Sequence, residues 1–195
     1  MPKIISEYER KRTQEAIIKH TKQLIIAKKG IKDVTVDDIV RLVGLGKGSF
    51  YSYFKSKEEC LYKVLETTIT DVYRQIELIK TEELSTKEKA EKFVREVYLS
   101  QERVDYYFTT TDIEALFRKL PPEYSDMEQN FIGAGLITNI MEALDIGRTQ
   151  AEALYTLLEC IEFAANKAIS QQAKEETINT LVKSFAEYAG KHSKV

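Results

Sequence analysis

Apolar positions along this chain recur at three- and four-residue steps, the spacing of helices buried along one face. Residues 11–29 predict a first helix with Ile17, Thr21, Leu24, Ile25 and Lys28 on one stripe, and Gly30 stands where a helix end favours a left-handed residue. Thr35, followed three residues later by Asp38, predicts a capped start for a helix carrying Val36, Ile39, Val40 and Val43, which Gly44 ends after two turns. Lys47 to Tyr53 predicts another short helix. Ser56 with Glu58 and Glu59 opens a long one reaching about Lys80, its acids suited to the positive end of the helix dipole. The stretch Ser85-Thr86-Lys87-Glu88 starts a helix to about Gln101, an aromatic-rich helix covers 103–119, and Pro121-Pro122 forces a break. Further helices are expected over 123–145, from Thr149 with Glu152 to about Ser170, and over 174–190 with Gly190 closing the last.

Composition narrows the class. Only 3 Pro and 8 Gly punctuate 195 residues, and no dense Val/Ile/Thr alternation appears, so the expected fold is all-α with about nine helices. Hydrophobic residues make up 43% and charged residues 31%, a globular balance. No apolar run approaches the roughly 20 residues of a membrane helix, and the first residues lack the apolar stretch of a signal peptide. A cytoplasmic protein is expected. Cys60 and Cys160, a hundred residues apart and without metal-ligand spacing, are expected to be buried free thiols.

The net charge of −2 hides an asymmetry. Residues 1–63 hold 14 of the 29 Lys and Arg but only 8 of the 31 Asp and Glu, a net of +6, and the remainder is therefore −8. A basic end that touches a polyanion has this pattern, although a solvated helical face can be basic too. Within that basic end, three short helices with a tight Gly44-Leu45-Gly46 turn before the third have the form of a helix-turn-helix. Leu45 points into the small core of such a unit. Phe50 and Phe54, four apart, share an inward face and leave Lys47, Ser49, Tyr51 and Tyr53 outside. Tyrosine hydroxyls and a lysine ammonium donate to phosphates, and Gly48 and Ser49 permit close approach.

The run from Thr35 to Glu59, with its core Gly44-Leu45-Gly46-Lys47-Gly48-Ser49-Phe50-Tyr51-Ser52-Tyr53-Phe54-Lys55-Ser56-Lys57-Glu58, resembles the signature of the TetR family of bacterial helix-turn-helix regulators. The resemblance covers residues 10–63; the rest is similar to the family only in helical character and length. It implies a DNA-binding domain over 1–55 and a helical effector-binding and dimerisation domain over 56–195. It also implies DNA contacts by Thr35, Lys47, Gly48, Ser49, Tyr51, Tyr53 and Lys57. Gly46 departs from the family's common Ser or Thr, removing a hydroxyl cap, and Ser52 stands where a His or larger residue is frequent.

A three-helix reader covers one half-site, so a palindromic operator needs a homodimer. The expected interface is the apolar seam of the last two helices: Leu154, Leu158, Ile161 and Ala165 on one, Ile178, Leu181 and Phe185 on the other. The same stripes could close the chain's own core. An effector pocket for a small hydrophobic or aromatic molecule, if present, draws on Tyr73, Tyr98, Tyr107, Phe108, Phe117 and Phe131, though aromatics at helical spacing more often fill a core. The expected function is a sequence-specific DNA-binding transcription regulator in the cytoplasm, associated with the nucleoid and acting as a ligand-responsive repressor. The alternative is a helical interaction or co-regulator module without an effector pocket. No cofactor or metal is implied, and an enzyme is disfavoured: His20 and His192 lie at opposite ends of the chain, outside any ligand array, and no nucleophile elbow, P-loop or dinucleotide fingerprint occurs.

Overall fold

The computed structural model describes residues 6–100, 103–124 and 134–194. Among these there are nine α-helices and no strand. They are α1 (Glu7–Lys28), α2 (Val36–Val43), α3 (Lys47–Phe50), α4 (Lys57–Thr81), α5 (Thr86–Lys92), α6 (Thr110–Phe117), α7 (Ala134–Leu144), α8 (Arg148–Asn166) and α9 (Gln171–His192). A π-helical turn, Phe93–Tyr98, prolongs α5, and short 3-10 turns cover Asp105–Tyr107 and Pro122–Tyr124.

The caps explain most of the boundaries. Ser6 and Ser85 form reciprocal capping boxes with Glu9 and Glu88, and Thr35 accepts from the Asp38 amide. Gly44 ends α2 in the left-handed conformation at φ 74°, returning its N–H to the Val40 carbonyl.

Four expectations are corrected. The left-handed residue after α1 is Lys29 (φ 53°), one position before Gly30. The aromatic-rich stretch 103–119 is not one helix, because Phe108 is extended and Thr109 begins α6 with its own capping box to Asp112. Helix α8 starts from Gly147, which places Thr149 inside the first turn, and Glu152 is held by Arg148 at 2.9 Å. Gly190 does not close the last helix but lies within α9, where an added Cβ would sit 3.2 Å from that of Lys87, so glycine there allows a close approach to α5.

Packing divides the chain into two compact units, Met1–Ile69 with Val104–Ser125, and Thr70–Arg103 with Asp126–Val195. The first cut between them lies inside α4, between Ile69 and Thr70, and the expected boundary at 55/56 lies just before that helix. In the first unit, Ile17, Ile25, Ile39, Phe50, Phe54, Leu61 and Leu65 are almost wholly buried. Thr21 is buried among them and returns its hydroxyl to the Ile17 carbonyl at 2.8 Å, so no polar group is stranded. Cys60 is sealed in this core, and burial pushes its thiol up to about 12.

The core of the second unit joins α5, α7, α8 and α9 through Phe93, Val94, Ile140, Leu154, Leu158, Ile161, Val182 and Phe185. Leu154, Leu158, Ile161 and Phe185 were expected at an interface between chains, yet each is 0% exposed inside this unit, which removes all four from that role. Ala165, Ile178 and Leu181 are half-buried. The outward side of α8 carries Phe163, nine residues and thus about half a turn round from Leu154, at 65% exposure. Cys160 lies on that outward side and is exposed, contrary to the expectation of a buried thiol.

Candidate nucleic-acid interface

The surface Lys47, Gly48, Ser49 and Tyr51 is built by the local fold of the second and third helices. After the left-handed Gly44, the Leu45 amide returns to the Val40 carbonyl at 2.9 Å, and the Leu45 side chain is half-buried. Gly46 then enters α3 in extended geometry without a side-chain cap. Helix α3 is a single turn, shorter than the Lys47–Tyr53 segment expected, but hydrogen bonds from the Tyr53 and Phe54 amides to the Phe50 carbonyl keep the chain coiled beyond it. That coil brings Phe50 and Phe54 together, with ring centroids 5.7 Å apart, at 0% and 1% exposure. With both rings inside, Lys47, Gly48, Ser49 and Tyr51 are exposed. Tyr51 is 49% exposed, with its ring edge-on to buried Phe50 at 5.3 Å. A Cβ at Gly48 would meet no atom within 4 Å, so packing within the chain does not require glycine there.

Electrostatics fix the base of this surface. The Asp38 carboxylate accepts from Lys28 at 2.6 Å, from the Thr35 hydroxyl at 2.7 Å and from Arg41 at 3.0 Å. The Lys28 hydrogen bond, reinforced by that of Thr35, holds the Asp38 carboxyl down to about 2. Thr35 therefore spends its hydroxyl on the helix start. Lys47 is paired with Asp37 at 3.0 Å, and that carboxylate raises the pKa of the ammonium.

Tyr53 is half-buried beneath the Arg10 guanidinium, which lies 5.5 Å from its ring centroid and donates to the Ser52 carbonyl at 2.7 Å. Lys57 turns to the Val34 carbonyl at 3.0 Å and is half-buried, which takes it out of the exposed set and makes it a tie for the loop before α2. Arg10, Asp37 and Arg41 were not singled out from the sequence; Arg10 acts across 42 residues, a contact no local spacing encodes.

The aromatic candidates for a pocket divide between the two units. In the first, Phe108 and Phe117 are buried, Tyr107 is half-buried, and Phe117 packs edge-on against Tyr62 at 6.1 Å. In the second, Tyr98 is buried against Phe93, donates to Glu162 at 3.0 Å and lies under Arg103, while Tyr73 is half-buried. Phe131 lies outside the described residues. Tyr73 and Tyr98 thus pack with the core of the second unit, and Phe108 and Phe117 are buried in the first.

Clefts occur elsewhere. One of about 250 Å³ in the first unit is lined by two ion pairs, Lys119 with Glu58 at 3.0 Å and Lys32 with Asp112 at 3.8 Å, and by Lys57, which bonds the Val34 carbonyl. A second, of about 470 Å³, is a mainly apolar groove between α8 and α9 lined by Cys160, Phe163, Ile169 and Leu181, with Glu159 and Lys167 also on its wall. Among the described residues no cluster of three or more His, Cys, Asp or Glu could hold a metal ion, and no helix is long and apolar enough to cross a membrane.

Residues 17–64, which include this surface, match the family described as bacterial regulatory proteins, tetR family. The chain is 39% identical over 62 residues to an uncharacterised HTH-type transcriptional regulator from the lacX 3′ region of Lactococcus lactis, covering 32% of this chain and 31% of that one. It is 30% identical over 76 residues to the uncharacterised HTH-type regulator YfiR of Bacillus subtilis, covering 39% and 36%. The similarity thus spans about a third of the length of these relatives. A crystal structure from Mesorhizobium loti, assigned to the TetR family of transcriptional regulators, superposes with a TM-score of 0.62 over 91% of this chain and 96% of that one, at 16% identity. At that identity the likeness is one of fold.

Proposed function

We infer that this chain, a TetR-family protein by its helix-turn-helix, is a transcription regulator that binds double-stranded operator DNA through the α2–α3 surface and works as a homodimer. The observation that carries the reading is the outward set Lys47, Gly48, Ser49 and Tyr51, backed by fully buried Phe50 and Phe54. An exposed tyrosine beside a lysine and two small residues is a poor solvent face, but it offers hydroxyl and ammonium donors to phosphate where a helix can enter the major groove. Such a protein works in the compartment that holds the chromosome, the bacterial cytoplasm.

The homodimer reading rests on the groove between α8 and α9. Phe163 at 65% and Ile169 at 43% exposure leave an apolar surface that a second copy of the same two helices would cover. A two-fold dimer then reads a palindromic site. Repression, relieved by a small hydrophobic or aromatic effector, completes the proposal on the strength of the family resemblance.

Fluorescence anisotropy with duplexes from the gene's own upstream region, at near-physiological salt and against scrambled competitor, tests the DNA reading. Selective binding that Lys47→Ala and Tyr51→Ala both weaken supports it. Selective binding untouched by either variant would move the reading surface elsewhere on the molecule. Adding a panel of aromatic compounds to the same assay tests the effector, and unchanged operator affinity across the panel would count against ligand control.

A further inference from the structure

Asp37 stands apart from the other charges at the start of α2. Its neighbour Asp38 belongs to the cap, engaged by Thr35, Lys28 and Arg41. Asp37 contributes nothing to that network. Its carboxylate instead reaches across the turn to α3 and takes the Lys47 ammonium at 3.0 Å, with 63% of the Asp37 side chain and 57% of the Lys47 side chain exposed. A bridge so open to water adds little to folding. Its main consequence is electrostatic. The segment Lys47 to Phe54 carries a single charged side chain, Lys47, and Asp37 neutralises it.

We propose that Asp37 is an internal competitor for DNA phosphate: it occupies Lys47 in the free protein and so sets how strongly, and with what salt dependence, the α2–α3 surface grips the nucleic-acid backbone. This rests on the DNA-binding reading above. A phosphate reaching Lys47 must displace Asp37 or bind beside its negative charge. In either case the lysine arrives already neutralised, and fewer counterions leave the DNA than one free lysine would release. The device lowers backbone affinity, which is independent of sequence, and leaves discrimination to the base edges.

The test is anisotropy titration of the full chain against a mixed-sequence duplex between 50 and 200 mM KCl, using wild type, Asp37→Asn, Lys47→Ala and the double variant, each checked for helix content by circular dichroism. Removing the competitor is expected to tighten binding by about three- to tenfold and to steepen the log–log salt slope by about 0.9, the increment for one more neutralised phosphate. In the Lys47→Ala background, Asp37→Asn is expected to change affinity by less than about twofold, since the competition has lost its object. Wild type that binds DNA while Asp37→Asn leaves affinity and slope unchanged would overturn the inference alone. An Asp37→Asn effect undiminished without Lys47 would also overturn it, showing plain repulsion of DNA by the carboxylate. Absence of DNA binding by wild type and all variants would overturn the DNA-binding reading and this inference with it.

Discussion

The Arg10 guanidinium donates to the Ser52 carbonyl at 2.7 Å and covers the ring of Tyr53, so the first helix holds the far end of the segment from Lys47 to Tyr53. Helix α3 is only one turn long, and the Arg10 hydrogen bond satisfies the Ser52 carbonyl just beyond it. Arg10→Ala is expected to reduce stability by about 0.5–1.5 kcal/mol, the scale of one exposed charged hydrogen bond with a cation–π contact. Operator affinity is expected to fall several-fold with little change in salt slope, because Arg10 positions Ser52 and Tyr53. Urea unfolding and anisotropy on the same variant check both.

The two glycines of the turn should respond in opposite directions. Gly44 is left-handed at φ 74°, so Gly44→Ala is expected to cost about 1–2 kcal/mol although an added Cβ would meet no neighbour within 4 Å. Gly46 is extended, and its Cβ position lies 3.9 Å from the nearest atom, Ser49 Oγ. Gly46→Ser should therefore restore the missing cap and stabilise by a few tenths of a kcal/mol. Thermal melts of the two variants should move to either side of wild type.

Acid should weaken the first unit through Asp38. A carboxyl whose pKa is lower in the folded than in the unfolded chain stabilises the fold wherever the unfolded group is already ionised. Asp38, held at about 2 by Lys28 and Thr35 against a reference near 3.8, contributes fully above about pH 4 and loses that contribution as pH falls toward 2. Asp38→Asn is expected to be less stable than wild type at neutral pH, with the difference in urea midpoint closing across that acid window. A constant difference would mean that the ion pairs are not its source.

The two faces of α8 should separate cleanly under mutation. Leu158→Ala opens a cavity at a fully buried site and is expected to cost about 2–5 kcal/mol. Phe163→Ser, on the exposed face, should leave the fold intact and shift the chain toward monomer in analytical ultracentrifugation. Alkylation of Cys160 in the adjoining groove should slow as protein concentration rises, while Cys60 should react only on unfolding. A chain that remains dimeric with Phe163→Ser would place the interface on another surface.

Local chemistry was legible without coordinates. The Thr35 cap with Asp38, the stop at Gly44, the Ser56 start of the long helix and the inward pairing of Phe50 with Phe54 all follow from residues no more than four apart. Helix periodicity and capping act over that range, so the sequence determined the all-helical class, the approximate helix order and the outward placing of Lys47, Ser49 and Tyr51 around the buried Phe50 and Phe54. Tertiary structure decided what those rules leave degenerate. An apolar stripe on α8 suits a chain's own core and a partner's equally well, and only packing assigned Leu154, Leu158 and Ile161 to the core and left Phe163 outside. The same holds for lysine, whose charge faces DNA or a neighbour according to what lies within reach: Lys57 bonds the Val34 carbonyl and Lys47 meets Asp37. Contacts such as Arg10 to Ser52 join residues 42 positions apart, and they exist because the intervening helices bury a shared core, a condition that no short window of sequence contains.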